Sequence, residues 1–281
     1  TLSHRSPLLT PFSDQKRAAA RAVHCAELLP KDAPPSDHFA LNTAYTRWEE
    51  ARSQRQTDSF CRKSWINHQV MQTIRDLRAD LVDSLRSDGF VETYPKEELT
   101  KQEVNSPQIT AALLFAGLYP NVARVEGTRN PNDKGFTIYA GDELLRIHPG
   151  SLCHGRGDLL NGLHRTNSRW VCYHTKMKTS QIFLRDCTFL TPNALLLFGG
   201  DSGAIAVHPG ERCVALGSTS ERHWHCLHLA PRHAATIRQL RYAFDGVLRR
   251  KALDPRRPLT PEDRSVIVAY VAILNCTETE A

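Results

Sequence analysis

Apolar positions recur with two different periods along this chain. Over residues 36–85 the period is helical: Leu41, Ala44, Tyr45 and Trp48 fall at the i, i+3, i+4, i+7 spacing of one buried face, and Ser36-Asp37 stands before them as an N-cap. A second cap at Asp58 opens a short helix around Phe60, Cys61 and Trp65. Val70, Ile74, Leu77, Leu81 and Leu85 then set out a long amphipathic helix that Gly89 stops. Three antiparallel helices of this kind predict a small bundle. Ahead of them, residues 1–35 read as an irregular lead-in punctuated by Pro7, Pro11, Pro30, Pro34 and Pro35, with one short helix over 14–28.

From Asn121 the pattern changes to short strands over 122–125, 136–139, 144–147, 204–207, 213–216 and 224–229, separated by turn residues such as Pro149-Gly150 and Gly199-Gly200. Strands so spaced predict a barrel or a sandwich. Among them, residues 170–188 read as a hairpin. One arm is Trp170, Val171, Cys172 and Tyr173, the polar crossing runs over 174–179, and the second arm is Ile182, Phe183 and Leu184. This lifts Lys176, Lys178, Thr179 and Ser180 onto an exposed tip that can meet phosphates. Ser106-Pro107 starts a helix over 107–117 that packs into this part. Two tail helices follow, one with Ile237, Leu240, Phe244, Val247 and Leu248 on a face, the other capped by residues 260–263. The polar stretch 94–105 is the expected domain boundary, and the Gly/Asn/His-rich stretch after Leu152 reads as a surface loop.

Composition narrows the chemistry. An apolar share of 41% against 23% charged residues describes a globular chain, and its 281 residues suffice for two cores. No apolar run approaches the roughly 20 residues that a membrane span needs. A net charge of +6 suits a polyanionic partner. The eight cysteines form no Cys-x-x-Cys pair, and in residues 223–228 strand alternation would put His223 and His225 opposite Cys226 and His228. Neither arrangement predicts a zinc site. A Ser151–His148–Asp186 triad lacks any nucleophile elbow. No Gly-x-x-x-x-Gly-Lys-Ser/Thr loop and no DEAH box occurs, so no ATP hydrolysis is expected from this segment.

Five motifs stand in a telling order: LSHRSPLLTPF at 2–12, SDHFALNTAYTRWEEA at 36–51, FCRKSWINHQVMQTIRDLRADLVDSL at 60–85, LLFAGLYPNVARV at 113–125, and RIHPGSL at 146–152 leading to the hairpin. In this order they closely resemble the C-terminal region of DEAH/RHA-type RNA helicases. The resemblance implies an α+β multi-domain chain: a lead-in from a winged-helix domain (1–35), a helical ratchet-like domain (36–104), an OB-fold β-barrel (105–230) and a helical tail (231–281). It implies a C-terminal piece that follows the motor. ATP and Mg would belong to the parent's motor domains, with no cofactor in this segment.

By the same resemblance, Asn121 and Arg124 match the family's Asn-x-Ala-Arg strand, His148 and Ser151 its His-Pro-x-Ser turn, and Thr179-Ser180 its RNA-facing hairpin. With Arg146, Lys176 and Lys178 these are the candidate RNA-binding residues, while Arg185 and Asp186 match a pair expected to form a structural salt bridge. The implied partners are single-stranded RNA, the motor and winged-helix domains, and activator or ribonucleoprotein partners, with no membrane. The implied role is to grip RNA along its backbone while the motor translocates 3′ to 5′. A protein-interaction scaffold is the alternative. The expected location is intracellular, cytoplasmic or nuclear, with a mitochondrial one compatible.

Overall fold

The computed structural model describes residues 6–29, 35–90, 106–127, 136–154, 170–200, 205–208, 213–216, 225–227 and 233–276. The expected boundary over 94–105 and most of the loop after Leu152 lie outside these residues, as do the side chains of the His/Cys stretch.

The first helices among the described residues are α1 (Asp14–Leu28), α2 (Asp37–Ser53), α3 (Thr57–Lys63) and α4 (His68–Ser87). Ser36 caps α2 by accepting the Phe39 N–H (3.1 Å), and Asn67 caps α4 by accepting that of Val70 (3.1 Å). Leu28, Ala40, Ala44, Trp48, Cys61, Ile66, Met71 and Ile74 close one core, so α1 belongs to the bundle together with the three helices expected there. The lead-in is tied down as well: Leu9 N–H donates to Trp65 O and Asn67 N–H to Pro7 O. The apolar stripe of α4 is buried only in its first half. Leu81 and Leu85 are 64% and 45% exposed.

The helix α5 (Pro107–Leu118) leads into β1 (Val122–Gly127), β2 (Phe136–Ala140), β3 (Glu143–Ile147), β4 (Trp170–Lys178) and β5 (Ile182–Leu190). These five close a barrel in the order β1-β2-β3-β5-β4, with β3 and β5 parallel and the other pairs antiparallel. Alternation splits β4 between two cores. Val171 and Tyr173 fill the barrel with Ala123, Ile138, Leu145, Ile147 and Phe189, while Trp170 and Cys172 face outward against α5 residues Ala112 and Phe115.

The hairpin is longer than its apolar residues suggest. Pairing continues through Lys176↔Leu184 to Lys178↔Ile182, so Lys176 lies within a strand and only residues 179–181 turn. Asp186 adopts a left-handed backbone (φ 53), a conformation Asp tolerates better than most residues. The inward positions of β5 shift parity there: Cys187 and Leu184 both lie in the barrel core, three residues apart.

Two departures concern the far side. The strands expected to complete the β domain, β6 (Ile205–His208), β7 (Cys213–Leu216) and β8 (His225–Leu227), form a separate three-stranded sheet rather than part of the barrel. A short helix, α6 (Pro192–Phe198), precedes them and buries Ala194, Leu195, Leu196 and Leu197. The tail helices α7 (Ala234–Leu253) and α8 (Pro261–Asn275) pack on α5 and α6 through Ile237, Tyr270 and Leu274. Thr260 and Asp263 form the capping box that starts α8. Buried Arg241 donates to the carbonyls of Leu196 (3.3 Å), Gly199 (2.6 Å) and Gly200 (2.7 Å), which satisfies the C-terminal end of α6.

Candidate nucleic-acid interface

Beside the β3–β5 seam, at the hairpin end, the surface opens into a groove of about 310 Å³. Leu144 and Arg146 line it from β3, Lys178 and Ile182 from the ends of β4 and β5, and Thr179, Ser180 and Gln181 from the turn between them. The turn is fixed locally: Thr179 N–H donates to Gln181 O (2.8 Å), and the Thr179 hydroxyl donates to the same carbonyl (3.3 Å). Arg146, Lys178, Thr179 and Ser180 are all exposed. Four of the nine residues expected to meet RNA therefore converge on one groove. Gln181, Ile182 and Leu144 join them; Gln181 carried a positional signal beside Thr179-Ser180, and the two apolar residues carried none.

The other five are placed differently. Lys176 is close by, ion-paired with Glu143. His148 continues the seam one step beyond Arg146. Its N–H bonds to Leu184 O (2.9 Å), and its ring lies edge-on to Phe183 (5.8 Å between centroids). The His148 Nδ1 accepts the Gly150 N–H (3.0 Å). Burial and the neighbouring Arg185 hold this ring below its ordinary pKa. On β1, Arg124 pairs with Glu126 (2.6 Å). Asn121 donates to His174 O (3.4 Å) and accepts the Tyr173 N–H (3.1 Å), extending the β1–β4 pairing. Ser151 is buried, and its hydroxyl donates to Asp37 Oδ2 (2.6 Å).

The expected Arg185–Asp186 salt bridge does not form. Arg185 reaches back along the hairpin to Met177 Sδ (3.8 Å), and no ion pair joins it to Asp186 among the described residues. Tyr173 on β4 fills the barrel rather than the groove.

A buried polar node lies behind the seam, and it was not foreseen. Asp37 is the first residue of α2, next to its Ser36 cap. Its carboxylate accepts the Ser151 hydroxyl, the Leu152 N–H (2.8 Å) and the Cys187 N–H (2.9 Å). Burial pushes its pKa up, against the pull of those three donors. Beside it, Thr188 Oγ1 bonds Ser36 Oγ (2.6 Å) and His38 Nδ1 (2.7 Å).

Among the described residues no group of three His, Cys, Asp or Glu could hold a metal ion. Among the described residues six cysteines lie outside any disulfide; burial raises Cys153, Cys172 and Cys187, with Cys172 pushed up to about 12, so these three pack as neutral side chains.

Residues 110–202 match the family described as Oligonucleotide/oligosaccharide-binding (OB)-fold, a span that includes all five barrel strands and α6. Similarity to whole proteins extends further along the chain. The human ATP-dependent DNA/RNA helicase DHX36 is 29% identical over 99% of this chain and 27% of its own length. The human ATP-dependent RNA helicase DHX29 is 26% identical over 92% of the chain and 18% of its own length. The DExH-box ATP-dependent RNA helicase DExH1 of Arabidopsis thaliana is 29% identical over 97% of the chain and 25% of its own length. The chain thus spans about a quarter or less of these relatives. The closed five-stranded barrel, the OB-fold match at its position and the likeness to helicases along nearly the whole chain support a C-terminal region of a DEAH/RHA helicase.

Proposed function

We propose that this chain is an auxiliary region of an ATP-dependent RNA helicase that grips single-stranded RNA by its backbone and helps couple ATP hydrolysis to 3′-to-5′ translocation. The observation that carries the reading is the open groove with Arg146 and Lys178 on its two sides and the Thr179 and Ser180 hydroxyls between. OB barrels hold single strands by backbone charge and by stacking bases on aromatic rings. Among the described residues none that lines this groove is aromatic, so its chemistry suits phosphates and sugars. Such contacts position a strand without reading its bases. The chain contains no phosphate-binding loop of its own. ATP and Mg²⁺ would act on motor domains of the full protein, and no step of hydrolysis falls to the residues described.

Photo-crosslinking tests this assignment. Single-stranded RNA carrying 4-thiouridine should crosslink to peptides containing residues 144–146 and 178–182, with equal yield for different flanking sequences. Crosslinks confined to the helical bundle or the tail would refute the groove as the RNA site.

A second reading, a protein-interaction scaffold, draws on the exposed Leu81 and Leu85 one turn apart on α4. It predicts no RNA crosslinks anywhere on the chain.

A further inference from the structure

Residues 149–154, which follow β3, are held from outside the barrel. Arg21 on α1 donates from Nη1 to the carbonyls of Pro149 (3.1 Å) and Ser151 (2.9 Å), and from Nη2 to that of His154 (2.6 Å). Asp37 at the start of α2 takes the Ser151 hydroxyl and the Leu152 N–H (2.8 Å). One helix therefore grips the segment by its carbonyls and the other by its donors. The next two side chains extend the grip: Leu152 is buried in the helical core and Cys153 in the barrel core.

The held segment is also what orients His148. The Gly150 N–H donates to the ring Nδ1 (3.0 Å), so the neutral imidazole carries its proton on Nε2. The same ring lies against Phe183, whose strand partner is Arg146 in the groove.

We propose that Arg21 and Asp37 are positioning residues for the RNA groove: from the helical bundle, they fix residues 149–154 and thereby the end of β3 and the His148 ring. Neither touches RNA in this arrangement. The bundle and the barrel then present one preformed surface to the strand. The proposal rests on the groove reading above.

The test uses the 281-residue chain with Arg21→Met, Arg21→Lys and Asp37→Asn. Two signals are read: affinity for a single-stranded RNA across a salt series, and the ¹⁵N resonances of the His148 ring, which report which nitrogen is protonated. Arg21→Met and Asp37→Asn should weaken binding roughly 3- to 10-fold, a change of about 0.7–1.4 kcal/mol. The salt slope should stay unchanged, because no phosphate contact is lost. The His148 ring should lose its single Nε2–H tautomer. Arg21→Lys keeps the charge but cannot fork across three carbonyls, so it should behave as Arg21→Met. Binding at wild-type strength in variants whose His148 signal has changed would overturn the proposal, and so would an unaltered His148 signal. Rescue by Arg21→Lys would replace the clamp with a plain charge effect and overturn it too. Should Asp37→Asn fail to fold, the Arg21 pair carries the test, since that side chain is only partly buried. A wild-type chain that binds no RNA would defeat the groove reading, and the His148 signal would still judge the clamp.

Discussion

Lys176 and Lys178 stand two residues apart on β4 but carry different charge environments. Lys176 is paired with Glu143, whereas Lys178 lines the groove and has no ion-pair partner among the described residues. A carboxylate beside the groove works against a phosphate, so Glu143→Gln should tighten RNA binding; a few-fold gain is expected for an exposed pair worth up to about 1 kcal/mol. Weaker binding in that variant would mean that the pair orders the hairpin instead. Two buried histidines make a separate prediction. His24 Nε2 bonds the carbonyls of Ser64 (3.0 Å) and Trp65 (3.2 Å), and His38 Nε2 is buried with no partner among the described residues. Burial holds both rings below 6.5, outweighing Asp186 near His38 and adding to the effect of nearby His174. As pH falls through that value the unfolded chain takes up protons first, so stability is whole above it and is lost toward the folded-state values below. Each unit of depression is worth about 1.4 kcal/mol once that range is crossed. Asp37, raised by burial, acts with the opposite sign. The melting temperature should therefore drop between pH 7.5 and 5.5, and drop less in His38→Asn, which can keep the Thr188 bond. An equal drop in the variant would remove His38 from the cause.

The barrel is not complete in itself at the level of its strands. Past Ile147, β3 no longer covers the edge of β5, and the chain before α2 takes its place: Phe189 N–H donates to Pro35 O (2.9 Å) and Cys187 N–H to Asp37. Both donors are buried, and leaving each unpaired costs about 1–3 kcal/mol. A chain starting at residue 106 should thus melt well below the intact protein or without cooperativity. Equal melting temperatures for the two would show that the seam contributes nothing. These contacts also mark where sequence reading stops. Helix faces at Leu41, Ala44 and Trp48, the hairpin, and the caps at Ser36, Ser106 and Thr260 follow from local period and capping chemistry. The polar outer half of the hairpin concealed the length of its arms, because strand pairing there needs no apolar residue. The left-handed turn at Asp186, the exposed end of α4 and the separate β6–β7–β8 sheet depend on distant packing. Of the candidate site, the groove's cations and hydroxyls were legible as a cluster at a turn. Burial of Ser151 and the reach of Arg21 across to residues 149–154 left no local trace.

At the scale of the molecule, three cores meet along the barrel: the helical core on one side, the barrel interior, and the shared core of α5, α6 and the tail on the other. The junction with the helical core is polar, made by Asp37 and Arg21, whereas the one with the α5, α6 and tail core is apolar, made by Trp170 and Cys172. The groove lies at the hairpin end of this assembly, open to solvent, on a chain of net charge +6. A salt titration of RNA affinity tests its role most directly, on the wild type and on an Arg146→Ala/Lys178→Ala double variant, with a thermal melt of each. Loss of two phosphate contacts should weaken binding to single strands of any sequence and flatten the log–log salt dependence by about 1.4, at 0.7 per contact, with the melting temperature unchanged. An unaltered affinity and slope in a normally folded double variant would contradict the account and move the RNA surface away from this groove.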